Sequence, residues 1–206
     1  ATVGNPDEVA QWLSPKKGKA LLTTGNRTTD LSVECAQTLP EDEIGALELS
    51  IQPRAHASFR RMVEILRTQP PCLVFVNSRS DAETIASRLQ SMAPDVDIGV
   101  HHGSLAAETR REMEDKLRSG ELAGLVCTSS LELGIDVGKI RRILQIKSPR
   151  SVDRMLQRVG RADHRLDGIG KGHLLSWDTD DLAESAVVGR RAMLGHIESI
   201  EWRNRP

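Results

Sequence analysis

The chain is poor in aromatic side chains: its 206 residues hold five, Trp12, Phe59, Phe75, Trp177 and Trp202, and no tyrosine. None of the five stands between basic residues, so stacking of nucleobases on aromatic platforms is not expected as a main mode of binding. Cysteine is scarce too. Cys35, Cys72 and Cys127 are odd in number, scattered and without Cys-x-x-Cys spacing, which argues against a disulfide framework and against a zinc site. Cys72 and Cys127 lie in apolar runs and read as small core residues. No run approaches the roughly eighteen consecutive apolar residues that a membrane helix needs, and the opening ATVGNPDEVAQWL lacks the basic-then-apolar order of a signal peptide. No membrane partner and a cytoplasmic location are therefore expected. A further absence bears on chemistry. No Gly-x-x-x-x-Gly-Lys-Ser/Thr exists: Gly18-Lys19, Gly138-Lys139 and Gly170-Lys171 are followed by Ala, Ile and Gly. Asp42-Glu43-Ile44 has neither the apolar strand nor the spacing of a magnesium site. Phosphoryl transfer needs a phosphate cradle and metal ligands, so the chain is not expected to hydrolyse a nucleoside triphosphate by itself.

What is present reads as a water-exposed globular α/β chain, 38% hydrophobic and 28% charged. The net charge of −1 hides an uneven distribution. From Arg141 to Lys171 nine Lys or Arg face Asp153, Asp163 and Asp167, whereas in residues 1–50 four basic residues face eight acidic ones. One part of the chain is thus suited to phosphate and the other is not. From about Pro53 strands and helices alternate, the pattern of a parallel sheet covered by helices. Residues 54–68 have helical periodicity closed by Pro70-Pro71. CLVFV at 72–76 is a buried strand, and a capping box Ser80-Asp-Ala-Glu83 opens the next helix. Strands follow at 97–101, 123–128, 143–146 and 173–176, with helices at 106–118 and 178–191. In residues 1–50, Asn5-Pro6 starts a short helix through Leu13; the remainder reads as a linker with a strand or two.

Arg154, Arg158, Arg161 and Arg165 are spaced by four, three and four residues. A continuous helix would hold them within roughly 60° of one face, with Val152, Met155, Leu156 and Val159 opposite, so the arginines are expected to point outward together. Like charges at this spacing repel, which suits a stripe that faces an anion. Gly160 is a point at which the helix could end.

Three polar loops follow strands, where ligands of open parallel sheets bind. Asn77-Ser78-Arg79-Ser80 joins hydroxyls, an arginine and a helix N-terminus into an anion site. His101 to Leu105 reads HHGSL, with Gly103 permitting close backbone approach. A metal site is rejected for the two histidines, because strand neighbours point to opposite faces and no third ligand is near. The third loop, Thr128-Ser129-Ser130-Leu-Glu-Leu-Gly134-Ile-Asp136, offers hydroxyls for phosphates, a glycine for ligand approach and a carboxylate for a ribose hydroxyl.

Read as strings, QRVGRADHR at 157–165 resembles motif VI of superfamily 2 helicases and CTSSLELGIDV at 127–137 resembles their motif V. Asn77–Ser80 is similar to motif IV. With HHGSLAAETR and SPRSVDRMLQRVGRADHR, the match over about 70–176 looks like the large helicase-related (Lhr) branch. The resemblance implies a RecA-like three-layer αβα fold with a mostly parallel central sheet, and a helicase C-terminal domain at 51–206. By the opening ATVGNP, similar to the tail of the family's SAT motif, it implies that residues 1–50 are the end of a first motor domain plus linker, so the chain is expected to be a fragment. It further implies that ATP and Mg²⁺ are held mainly by that missing N-terminal RecA-like domain, a partner within the same protein. Arg161, with Arg165 as the candidate second, would supply arginine fingers, since guanidinium matches phosphate oxygens with a planar fork, and Arg158 would join them among the catalytic residues. Gly134, Asp136 and Gln157 would meet the nucleotide. Asn77, Ser78, Arg79, His102, Gly103, Ser104, Thr128 and Ser129 would grip the backbone of a DNA or RNA strand. Two departures stand out: Asp163 replaces a common glycine, and the second finger position holds His164, with Arg165 one place later. Two rival readings are a stand-alone nucleic-acid binder without catalysis and a protein-interaction module.

Overall fold

The computed structural model describes residues 3–14, 19–20, 29–132, 138–162 and 170–199. Among these residues six parallel strands form one sheet in the order β1-β6-β5-β2-β4-β3, with β1 Thr29–Cys35, β2 Cys72–Phe75, β3 Ile98–His101, β4 Gly124–Cys127, β5 Arg142–Ile146 and β6 Gly170–Ser176. The helices are α1 Pro6–Leu13, α2 Pro40–Glu48, α3 Pro53–Thr68, α4 Arg79–Met92, α5 Ala107–Ser119, α6 Val152–Val159 and α7 Thr179–Met193. Parallel strands need crossovers, and helices supply them on both faces.

The period of two along each strand divides the core. Cys72 and Val74 of β2 point with Val126, Leu144 and Leu175 toward α3 and α4, where Phe59, Met62, Leu66, Ile85 and Leu89 pack. Leu73 and Phe75 point the other way with Leu125, Cys127 and Ile143, against Leu117 of α5. On that same side Val152, Met155 and Val159 of α6 and Val188 and Ala192 of α7 close over Leu31 and Leu174. The result is the three-layer arrangement that the resemblance implied. Burial pushes the Cys72 thiol up to about 12 and the Cys127 thiol higher still, so both are inert core groups.

The sheet also draws on residues before 50. β1 pairs with β6 from Thr29↔Gly170 to Cys35↔Ser176 and forms one edge. α2 is fastened to α3 by the fully buried Asp42. This carboxylate accepts from the Leu39 amide at 2.8 Å and from Arg60 Nε and Nη2 at 3.0 Å each, with His56 Nδ1 at 2.7 Å.

Two local expectations are corrected. The N-cap of α4 is Ser78, not Ser80: its Oγ accepts from the Asp81 amide at 3.0 Å, so the helix begins two residues earlier. The arginine stripe is not one outward face. α6 ends at Val159 with Gly160 as its C-cap, and Arg158 is buried at 2% exposure while Arg154 is exposed.

Candidate nucleic-acid interface

The carboxyl ends of the adjacent strands β2, β4 and β3 leave the sheet side by side, so the three polar loops meet. They enclose an open groove of about 500 Å³ lined by Asn77, Ser78, Arg79, Gly103, Thr128, Ser129 and Ser130. Each wall has a local cause. Ser78 is fixed twice by Asp81, accepting from its amide and donating to its carboxylate at 2.8 Å, which aims the first turn of α4 into the groove. Arg79 Nη1 reaches Ser104 Oγ at 2.6 Å, tying the first loop to the second. Ser129–Leu131 form one turn of 3-10 helix, bringing consecutive hydroxyls to the same rim. The lining is one guanidinium, one amide, four hydroxyls and a glycine, a donor set for phosphate oxygens rather than for an apolar ligand.

Of the residues named from sequence, Asn77, Ser78, Arg79, Gly103, Thr128 and Ser129 line this groove. Ser130 joins them; the hydroxyl run already pointed to it. His102 and Ser104 do not. His102 is buried, with Nε2 2.7 Å from Glu83 Oε1, and its Nδ1 receives the Ser104 amide at 3.3 Å, so it shapes the turn from beneath. An N–H aimed at Nδ1 leaves the ring proton on Nε2, donated to Glu83. His101 points to the opposite face, 2.8 Å from Ser130 Oγ and 2.9 Å from Glu114 Oε1. Its contact holds the third loop in place from below.

The motif VI side is built on Glu132. Its carboxylate accepts from Arg158 Nε at 2.8 Å and Nη2 at 2.5 Å, while Arg158 Nη1 donates to Gln145 Oε1 at 2.5 Å. The guanidinium also lies 5.0 Å from the Phe75 ring centre. Arg158 is thus held inside the domain by residues of β2, β5 and the loop after β4. Arg161 lies half-buried beyond the helix end, donating from Nε and Nη2 to the Glu132 carbonyl at 3.2 and 2.8 Å. Gln157 is half-buried on α6. Gly134, Asp136 and Arg165 lie outside the described residues. Glu132 was not singled out from sequence; a carboxylate two residues before Gly134 gives no local sign that its partner stands 26 positions on.

The helicase conserved C-terminal domain family matches residues 57–165 of the chain. The chain belongs to this helicase C-terminal domain family. Its likeness to Lhr proteins extends over more than the motifs. It is 35% identical to ATP-dependent helicase Lhr-Core protein 2 of Thermococcus barophilus across 100% of this chain and 24% of that protein. With the Lhr-Core helicase of Methanothermobacter thermautotrophicus it shares 38% identity over 79% of this chain and 19% of that protein. The solved structure of the Mycobacterium smegmatis helicase Lhr bound to ssDNA and AMP-PNP superposes with a TM-score of 0.86 at 35% identity, covering 98% of this chain and 26% of that one. The chain therefore spans about a quarter or less of the length of these relatives. A TM-score of 0.59 to the E. coli DEAD-box protein SrmB, at 22% identity, shows the same fold.

Proposed function

We propose that this domain is the second motor half of an ATP-dependent nucleic-acid helicase: it grips the backbone of a DNA or RNA strand in the groove and turns Arg161 toward ATP held mainly by a preceding RecA-like domain. The observation that carries the reading is the groove itself, where three loops far apart in sequence bring Asn77, Ser78, Arg79, Gly103, Thr128, Ser129 and Ser130 to one place. The Mycobacterium Lhr structure, bound to ssDNA and AMP-PNP, supports both ligands by similarity. Backbone contacts of this kind hold a strand without reading bases.

The residues present fit a nucleotide edge. Arg161 docks on the carbonyl of Glu132, a residue that precedes Gly134 by two positions and Asp136 by four in the sequence. Bound ATP supplies the phosphoryl bond whose cleavage drives the motor. Toward it this chain would offer Arg161 as a planar donor for charge on the phosphate, Arg165 as a second, and Gln157, Gly134 and Asp136 as positioning groups. Arg158 takes a different part from the one its motif position implied: it orients the finger from inside. We assign the phosphate cradle and Mg²⁺ coordination to the preceding domain, and with them the expectation that the domain alone is not an ATPase, because phosphoryl transfer needs a Gly-x-x-x-x-Gly-Lys-Ser/Thr loop that this sequence does not carry. We place the boundary between the halves before Thr29, because β1 is part of this sheet.

The test is strand binding by this domain and by the longer protein. The expected affinity of the domain alone is weak, micromolar to millimolar, and falls steeply with salt, as phosphate contacts release counterions. R79A and S129A are expected to weaken binding to all sequences alike. Binding indifferent to salt, or unaltered by both substitutions, would sink the reading in favour of a protein-interaction role.

A further inference from the structure

The groove accounts for one part of the basic segment and the Glu132 hub for another, yet the start of α6 belongs to neither. Arg150 and Arg154 are both exposed. Neither makes an ion pair or side-chain hydrogen bond with any described residue, in contrast to the buried Arg158. They stand at the turn between β5 and α6, whose backbone is unusual. Lys147 and Arg150 have φ of 60° and 67°, two of only three positive values among described non-glycine residues. Long side chains seldom take this conformation, and where it persists the surroundings must impose it; such positions concentrate at functional sites.

Here the surroundings do impose it. The Lys147 amide donates to the Leu175 carbonyl at 3.0 Å, and the Lys147 carbonyl accepts from Gln145 Nε2 at 2.8 Å. The Ser148 amide donates to Asp181 Oδ1 at 2.7 Å, and Ser148 Oγ accepts from the Arg150 amide at 3.1 Å. The decisive link is Asn77 Nδ2, which donates to the Ser148 carbonyl at 2.9 Å. Asn77 is itself a wall of the groove. The rigid turn is therefore the groove's neighbour on the β5 side.

The nearby carboxylates leave the two guanidinium groups available. Asp181 is engaged by the Ser148 and Trp177 amides, and Glu198 caps α6 by accepting from Val152 N at 3.0 Å and Asp153 N at 3.4 Å. Asp153, adjacent in sequence to Arg154, is the remaining acidic group on this turn of the helix.

We infer that the strand-binding surface continues past Asn77 over this turn, and that Arg150 and Arg154 take further phosphates of the same nucleic-acid backbone. The inference rests on the groove reading above and adds two cationic contacts to which the resemblance assigned no role. A turn already fixed by these bonds need not be ordered when the strand binds, so only side-chain rotamers are lost as each guanidinium takes a phosphodiester.

The test uses the longer helicase protein and a fluorescein-labelled oligo-dT strand titrated at several salt concentrations, comparing wild type, R79A and R150A/R154A. Single-strand affinity scales with salt to about the −0.7 power per phosphate contact, so each contact is worth about fourfold near 0.15 M salt. The double variant is expected to lose about tenfold in affinity and to lower the salt slope by roughly 1.4, with unfolding temperature and the KM for ATP unchanged. If R79A weakens binding while R150A/R154A matches wild type, the extension is wrong and the groove stands. Should neither variant alter binding, the groove reading fails with it. A raised KM for ATP with strand affinity intact would assign the two arginines to the nucleotide side and overturn the inference. R150K/R154K, which keeps the charges, is expected to recover most of the affinity and the full slope; failure to recover them would show that the double variant acted through the fold.

Discussion

Arg158 carries a permanent charge at 2% exposure, which is tolerable only because Glu132, Gln145 and the Phe75 face surround it. Removing one partner leaves an uncompensated buried charge, so E132A is expected to cost about 3–5 kcal/mol in denaturant unfolding. E132L/R158M, which removes both charges and fills the space, is expected to recover most of that stability. Asp42 makes a pH-dependent counterpart. Its bonds to Arg60 first, and then to Leu39 and His56, hold its carboxyl well below the usual carboxylate range. A depressed folded pKa contributes stability that is present above the ordinary aspartate value of about 4 and is lost as pH falls toward the folded value. D42N is expected to lower stability at neutral pH by about 2–4 kcal/mol and to flatten the acid limb of the stability profile. These assignments were the least legible in the sequence. Spacing placed four arginines on one face, but which of them is inside depends on where Glu132 and Gln145 arrive through the sheet. Asp42, likewise, is just one acid in an EDE run until α3 packs on it.

At the scale of elements the sequence carried more. Residues 72–76 and 123–128 were readable as strands because buried parallel strands are short continuous apolar runs, and the helix at 106–118 because Gly120 ends it in the left-handed conformation at φ 83°. The start of β6 was missed: Gly170-Lys-Gly has poor strand propensity, and pairing with β1 overrides it. Those glycines have a packing reason. A Cβ at Gly172 would meet Leu31 Cδ2 at 2.6 Å and Val159 Cγ2 at 2.8 Å, so α6 rests on β6 through a gap that only glycine leaves. G172A is expected to destabilise by about 1–3 kcal/mol, read as a lower unfolding temperature. Gly103 is the opposite case, since a Cβ there would meet no protein atom within 4 Å. G103L is expected to leave the unfolding temperature unchanged and to weaken strand binding, because the added side chain projects into the groove instead of the core.

For the whole molecule, strand order is what turns scattered loops into a site. Placing β2, β4 and β3 side by side gathers residues 77–79, 103 and 128–130, while β5 between β2 and β6 sets α6 and its arginines at the neighbouring corner. Motif strings pointed to these loops without revealing that His102 lies beneath the groove or that the turn before α6 is tied to it through Asn77 and Ser148. In the proposed motor, Arg161 acts on ATP bound by another RecA-like domain while this one holds the strand. This division of roles is tested most directly by nucleic-acid-stimulated ATPase of the longer protein, wild type against R161A, with strand affinity measured in parallel. The expected result is robust stimulation in wild type, a loss of about 10²- to 10³-fold in kcat with R161A, and strand affinity within a few-fold. Equal stimulation in both proteins would contradict the assignment of Arg161 and the motor role built upon it.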